Sequence, residues 1–121
     1  MWGRKISICV IRPQRYTFQF MEASPTFSLS FFPEAYRFAL DFIGTHSGRK
    51  YNKAAECGLT PVETSEGIVS YAEARLVLEC KKLYYHDLDP AQFVEPAVEA
   101  VYPAKDYHRM YVGEILRCLV H

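Results

Sequence analysis

At 121 residues the chain is long enough for one domain with an ordinary core, spanning residues 1–121. Half of it is apolar and 15% aromatic, so it should fold without disulfides or a structural metal. A formal net charge of zero argues against a general nucleic-acid or membrane-surface binder. The charge is unevenly spread, however. Through Lys53 there are eight basic and three acidic residues, which leaves +5 there and −5 in the remainder. A positive half suits a small anionic ligand, although a loop-rich segment would also collect charge. None of the four cysteines (Cys9, Cys57, Cys80 and Cys118) has the C-x-x-C spacing of a zinc or redox site. With no signal peptide and no apolar run of bilayer length, a reduced, cytoplasmic protein is expected, without membrane or nucleic-acid partners.

In chain order, Lys5–Ile11 reads as a buried strand. Pro13 lacks an N–H and fixes φ, so the ladder should stop there. Arg12-Pro13-Gln14-Arg15-Tyr16-Thr17 then forms a turn into a short helix, Phe18–Glu22, with Thr17 as the expected N-cap. Two guanidinium groups beside a helix N-terminus favour an anion, phosphate above all. The plainer alternative is a surface turn whose arginines pair with nearby carboxylates. Ser24-Pro25 ends the helix. Phe27–Phe32 reads as a strand with Phe27, Leu29 and Phe31 on one face. Pro33 opens a helix over Glu34–Ile43, striped by Tyr36, Ala39, Leu40 and Ile43, with Gly44 as the C′ residue.

Thr45 to Lys53 is a polar loop leading to a short helix that ends at Gly58. Its Ser47, Gly48, Arg49 and Lys53 offer hydroxyl, backbone and cationic donors for a second phosphate contact, or simply a solvated loop. His46 is expected to face solvent there. Ser70–Tyr84 is the longest strand signal. Ala74, Leu76, Leu78 and Cys80 point inward, and Arg75, Glu79 and Lys81 point to water. Asp89-Pro90-Ala91-Gln92 starts a helix that Pro96 should restart or kink and Pro103 should end. Arg109–Val120 is the closing strand, in which Gly113 marks a bulge or a close backbone approach. The sum is mainly β, antiparallel, with a few short helices, and a Greek-key barrel is the expected closure.

Four blocks closely resemble the flavin reductase-like, flavoredoxin-type proteins. They are Arg12-Pro13-Gln14-Arg15-Tyr16-Thr17, Phe27-Ser28-Leu29-Ser30-Phe31-Phe32, Ser47-Gly48-Arg49, and Asp106-Tyr107-His108-Arg109-Met110-Tyr111-Val112-Gly113-Glu114-Ile115. They occur in the family's order and spacing through almost the whole chain. The resemblance implies an FMN-binding split barrel, amino-terminally truncated relative to the family. Trp2-Gly3 would end a Thr-x-Ser-Trp-Gly type motif that lines the flavin ring, and the preceding part of that motif is not in this sequence. It also implies FMN held by its phosphate at Arg12, Arg15, Tyr16, Thr17, Ser47, Gly48, Arg49 and Lys53. It implies a homodimer, and the excess of aromatics (nine tyrosines, eight phenylalanines) fits one. His108 would lie near the flavin or the incoming nicotinamide and act in catalysis; the alternative is a structural histidine at a strand start.

No Ser-His-Asp order, P-loop, H-E-x-x-H or metal-ligand cluster occurs. Flavin chemistry needs none, because the cofactor carries the electrons itself. Three functions follow as alternatives. The first is a flavin reductase-like oxidoreductase, taking electrons from NAD(P)H or another carrier and passing them through FMN to a small-molecule or protein acceptor. The second is a non-enzymatic flavin-binding module. The third is a degenerate ligand-free barrel with a structural or interaction role.

Overall fold

Six antiparallel strands and four short helices make up the computed structural model, which describes residues 1–46, 52–64 and 66–121. The first strand, β1 (Ile6–Ile11), stops immediately before Arg12-Pro13, where the proline removes a ladder donor. Helix α1 (Tyr16–Ala23) follows, and then β2 (Thr26–Phe31). A single 3₁₀ turn at Glu34–Tyr36 leads into α2 (Arg37–Thr45), and α3 (Lys53–Glu56) begins with Asn52 accepting from the Ala55 N–H. Strands β3 (Pro61–Glu63) and β4 (Val69–Tyr71) form a hairpin. The two longest strands are β5 (Leu76–Asp87) and β6 (Arg109–Val120), and α4 (Pro96–Glu99) lies in the connection between them.

The main sheet has the order β1-β6-β5-β2. Sequence neighbours are therefore not all sheet neighbours, and β1 and β2 become its two edges. Irregularities between Glu79 and Cys80 and between Lys82 and Tyr84 interrupt the β5–β6 ladder. Such bulges bend and twist a strand pair, and the sheet curls into half of a barrel. Met21, Phe27, Cys80 and Tyr111 form its core, flanked by Cys9, Ile11, Phe18, Leu29, Leu78 and Ile115. Gly113 is required here by space alone. A Cβ on it would stand 2.6 Å from Phe27 Cζ and 3.2 Å from Cys80 Cβ, so the Phe27 ring lies directly on the backbone of β6.

Several local expectations are corrected. Thr17 is not the N-cap. The helix starts earlier, at Tyr16, and Arg15 is the capping residue, extended and without a side-chain bond. Gly44 lies inside α2 rather than after it. The helix ends at Thr45, where the Thr45 hydroxyl donates to Asp41 O at 2.9 Å and the His46 N–H donates to Phe42 O at 3.0 Å. His46 is half-buried, with its ring stacked on Phe42 at 3.9 Å, so it does not face solvent as a loop residue.

The expected strand Ser70–Tyr84 is two strands. Ala72 N–H donates to Thr60 O and the Glu73 carboxylate accepts from Thr60 N–H, which closes β4 onto its hairpin before β5 begins. No glycine or proline marks that break. The outward face expected for β5 is also wrong at its centre. Val77 and Glu79 are wholly buried, as is Cys80 on the core face. Glu79 is held by Arg117 Nε and Nη2 at 3.1 and 3.0 Å, so the carboxylate is satisfied by a fork rather than by water. After Asp89, the expected kinked helix is a 3₁₀ turn, Pro90–Gln92, followed separately by α4 with Glu95 as its cap.

Candidate functional site

The turn after β1 is built from two backbone bonds. Arg15 N–H donates to Arg12 O and Phe18 N–H donates to Arg15 O, both at 3.1 Å. This turn brings both arginines to one side of the first turn of α1. The amides of such a first turn have no intrahelical carbonyl to bond and carry the positive end of the helix dipole. A cavity of about 330 Å³ opens there, lined by Val10, Ile11, Arg12, Arg15, Thr17, Gly44 and His108. Arg12, Arg15, Thr17 and His108 come from two distant parts of the chain, and the β1–β6 pairing joins them. Ile11 is opposite Arg109 in that ladder, so Arg12 and His108 leave the same end of the sheet.

The two arginines are not equivalent. Arg12 Nη2 donates to Val101 O at 2.5 Å, and its guanidinium lies over the Tyr102 ring at 4.6 Å. Arg12 Nε is buried without a hydrogen-bond partner, and the nearest carboxylate oxygen, Asp106 Oδ2, is 3.8 Å away. Arg12 thus clamps the β5–β6 connection against the end of β1. Arg15 is exposed and has no hydrogen-bond or carboxylate partner for its side chain among the described residues.

Lys53 completes the cationic group. Its Nζ donates to Ile43 O at 2.7 Å, one residue from the cavity-lining Gly44. Burial pushes its ammonium below the ordinary lysine value, and the charge of Arg15 pushes it further. Tyr16 opens α1 and packs edge-on to Phe20 at 5.0 Å. Ser47, Gly48 and Arg49 lie outside the described residues.

His108 is half-buried on the cavity wall immediately before β6. Its Nδ1 is 2.5 Å from the Tyr102 hydroxyl, and its carbonyl accepts from Leu88 N–H at 3.0 Å. Burial lowers its pKa below the ordinary histidine value, the Arg12 charge lowers it further, and Asp106 opposes both. Neutral imidazole is therefore favoured near neutrality. Tyr102, buried among Phe93, Tyr107 and His108, was not singled out from the sequence. It stands in an irregular connection with no periodicity that could mark it as packed.

Beside the polar cavity lies an apolar groove of about 500 Å³ between the two sheet edges, lined among others by Cys9, Phe20, Phe27, Leu29 and Ile68. Ile11 and Thr17 line both spaces. Burial, with the nearby Cys80, pushes the Cys9 thiol up to about 11, so it behaves as an apolar wall rather than a nucleophile. The donor set of the polar cavity suits a phosphate: a guanidinium without a partner among the described residues, a hydroxyl and a helix N-terminus, with the Lys53 ammonium one residue from the lining. Among the described residues no group of three or more His, Cys, Asp or Glu side chains could hold a metal ion. No described helix is long and apolar enough to cross a membrane.

Comparison with known proteins agrees with this architecture. The flavin reductase like domain family matches residues 6–121. Among solved structures, the FMN-binding protein from Thermus thermophilus with bound p-hydroxybenzaldehyde superposes with a TM-score of 0.73 at 21% identity, over 96% of this chain and 55% of that one. Flavoredoxin of Desulfovibrio vulgaris (Miyazaki F) gives 0.71 at 22% identity, over 96% and 53%. The NADH:FAD oxidoreductase of Streptomyces globisporus, in complex with NAD and FAD fragments, gives 0.69 at 17% identity, over 100% and 61%. The chain therefore spans a little over half the length of these solved relatives. No curated protein matches the sequence. At these identities the likeness shows the split-barrel fold.

Proposed function

The chain belongs to the flavin reductase-like domain family, and from that premise we propose that it is an FMN-binding oxidoreductase domain that grips its cofactor by the phosphate. One observation carries this reading: the Arg15 guanidinium stands at the cavity without a carboxylate partner among the described residues, near a lysine whose charge it disfavours. Isolated surface arginines ordinarily find a carboxylate or face open water. A cation lining the cavity, with a second close enough to feel its charge, would suit a dianion.

Arg15, Thr17 and Lys53 would hold the phosphate, with Tyr16 opening the helix whose dipole faces it. Ser47, Gly48 and Arg49 are the further donors that the family resemblance assigns. Arg12 serves the same site differently, by fixing the β5–β6 connection and so the place of His108. Bound FMN would supply the redox chemistry, accepting hydride and passing electrons on. His108, neutral and on the cavity wall, is suited to hydrogen-bond the cofactor or the reductant rather than to exchange a proton with water. NAD(P)H is the proposed reductant, supported by the relative whose structure holds NAD and FAD fragments.

A homodimer and a cytoplasmic location belong to the same reading. The exposed apolar residues Trp2, Ile8, Val10 and Tyr84 give the sheet an uncovered apolar side for a second copy. Two measurements test the function. A visible absorbance scan of the purified protein should show flavin bands near ~370 and ~450 nm, the cofactor's own signature. Addition of NADH or NADPH under anaerobic conditions should bleach them. A colourless protein that takes up no FMN would remove the flavin reading. A yellow protein that neither nucleotide bleaches would reduce it to a flavin-binding module.

A further inference from the structure

Tyr102 lies outside every block of family resemblance, yet it makes the one side-chain hydrogen bond to His108 among the described residues. The separation is 2.5 Å, and the hydroxyl could either donate to Nδ1 or accept from it. The surroundings favour donation by Tyr102 to His108 Nδ1. The Arg12 guanidinium over the Tyr102 ring draws density from the phenol and strengthens it as a donor. The same cation, close to His108, disfavours a second positive charge on the imidazole.

Tyr102 is itself immobilised. It is only 7% exposed, it packs against Phe93 and Tyr107 at ring separations of 5.9 and 5.0 Å, and it meets His108 edge-on at 5.5 Å. The hydroxyl cannot swing away without breaking this cluster. We propose that Tyr102 is the positioning residue of the site: it holds His108 Nδ1 as an acceptor, so that the ring proton resides on Nε2 and the imidazole offers a neutral donor to a ligand oxygen in the cavity. The ligand class, a phosphate-bearing flavin or the nicotinamide that meets it, rests on the function proposed above. The arrangement of Tyr102 and His108 does not.

Nitrogen NMR of the histidine rings tests this in flavin-free protein, at about pH 8 where histidines are neutral. The His108 signals are identified by their loss in His108→Gln. In the native protein His108 should carry its proton on Nε2, with Nδ1 shifted as a hydrogen-bonded acceptor. In Tyr102→Phe the Nδ1 signal should move to the position of a free acceptor, while His46 and His86 stay in place. A native His108 protonated on Nδ1, or an Nδ1 signal that ignores the substitution, would overturn the proposal. The native spectrum alone decides the tautomer if the variant does not fold. Saturating FMN should then shift the Nε2–H signal. A native protein that binds FMN with no change at Nε2 would refute the donor role. A protein that binds no FMN would overturn the functional reading while the tautomer result still stood.

Discussion

Replacing Arg15 with Ala should separate ligand binding from folding. Arg15 has no intramolecular side-chain partner among the described residues, so its loss removes nothing that holds the domain together. Surface changes of that kind move stability by no more than about 0.5 kcal/mol. The ligand loses a hydrogen bond to a charged group, worth about 1.5–3 kcal/mol. The FMN dissociation constant should therefore rise about 10- to 150-fold. Arg12→Ala should behave in the opposite way. It removes the bond to Val101 O and the stack on Tyr102, and should cost roughly 2 kcal/mol of folding stability. Flavin fluorescence titration measures the first effect, and urea unfolding of both variants measures the second. If Arg15→Ala bound FMN normally, or unfolded while Arg12→Ala did not, the assignment of the two arginines would be wrong.

Other substitutions test the scaffold. Gly113→Ala forces a Cβ into the Phe27 ring, and overpacking of this sort should cost about 1–3 kcal/mol by denaturant unfolding; Phe27→Leu beside it should recover part of that loss. Arg117→Ala leaves the wholly buried Glu79 carboxylate without its fork. Because Arg117 is half exposed, water can partly take its place, and the cost should fall below that of breaking a fully buried pair. The double variant Glu79→Gln with Arg117→Ala should be less damaged than the single. Stability should also fall in acid. Glu22 is held below its ordinary carboxylate pKa by the Tyr111 hydroxyl and then by Arg109, and Asp87 by Arg109. Groups lowered on folding stabilise fully above their unfolded values and lose that contribution as pH falls through the folded ones, here below about pH 4. Thermal unfolding across that range should show a shallower slope in Glu22→Gln; an unchanged slope would contradict the ion-pair account.

Much of this fold is written locally in the chain. Pro13 ends β1, Asp89-Pro90 and Pro96 begin helical turns, and Gly113 sits where a ring needs the backbone. Each rests on a residue whose own stereochemistry limits the choices. What sequence could not supply depends on partners distant in the chain. The break between β4 and β5 is made by Glu73 reaching Thr60, not by a breaker residue. Glu79 looked like a solvent-facing charge because alternation places it there, and only the pairing of β5 with β6 brings Arg117 to it. Thr17 resembled a cap, but the turn made by Arg12 and Arg15 starts the helix two residues sooner than that reading allows. The candidate site divides in the same way. The cations were legible as residue types, whereas the division of labour between Arg12 and Arg15, and the whole role of Tyr102, follow from the packing of the β5–β6 connection.

The central claim is that the protein recognises flavin by its phosphate, and one comparison tests it most directly. The unmodified protein is titrated with FMN and with riboflavin, which share the ring and ribityl chain and differ in the phosphate. The account predicts tighter binding of FMN by at least about tenfold, the loss of one charge-assisted hydrogen bond, and a preference that shrinks as salt screens the cavity. Equal affinity for the two ligands would contradict it, because the Arg15 and Lys53 pair would then contribute nothing to recognition.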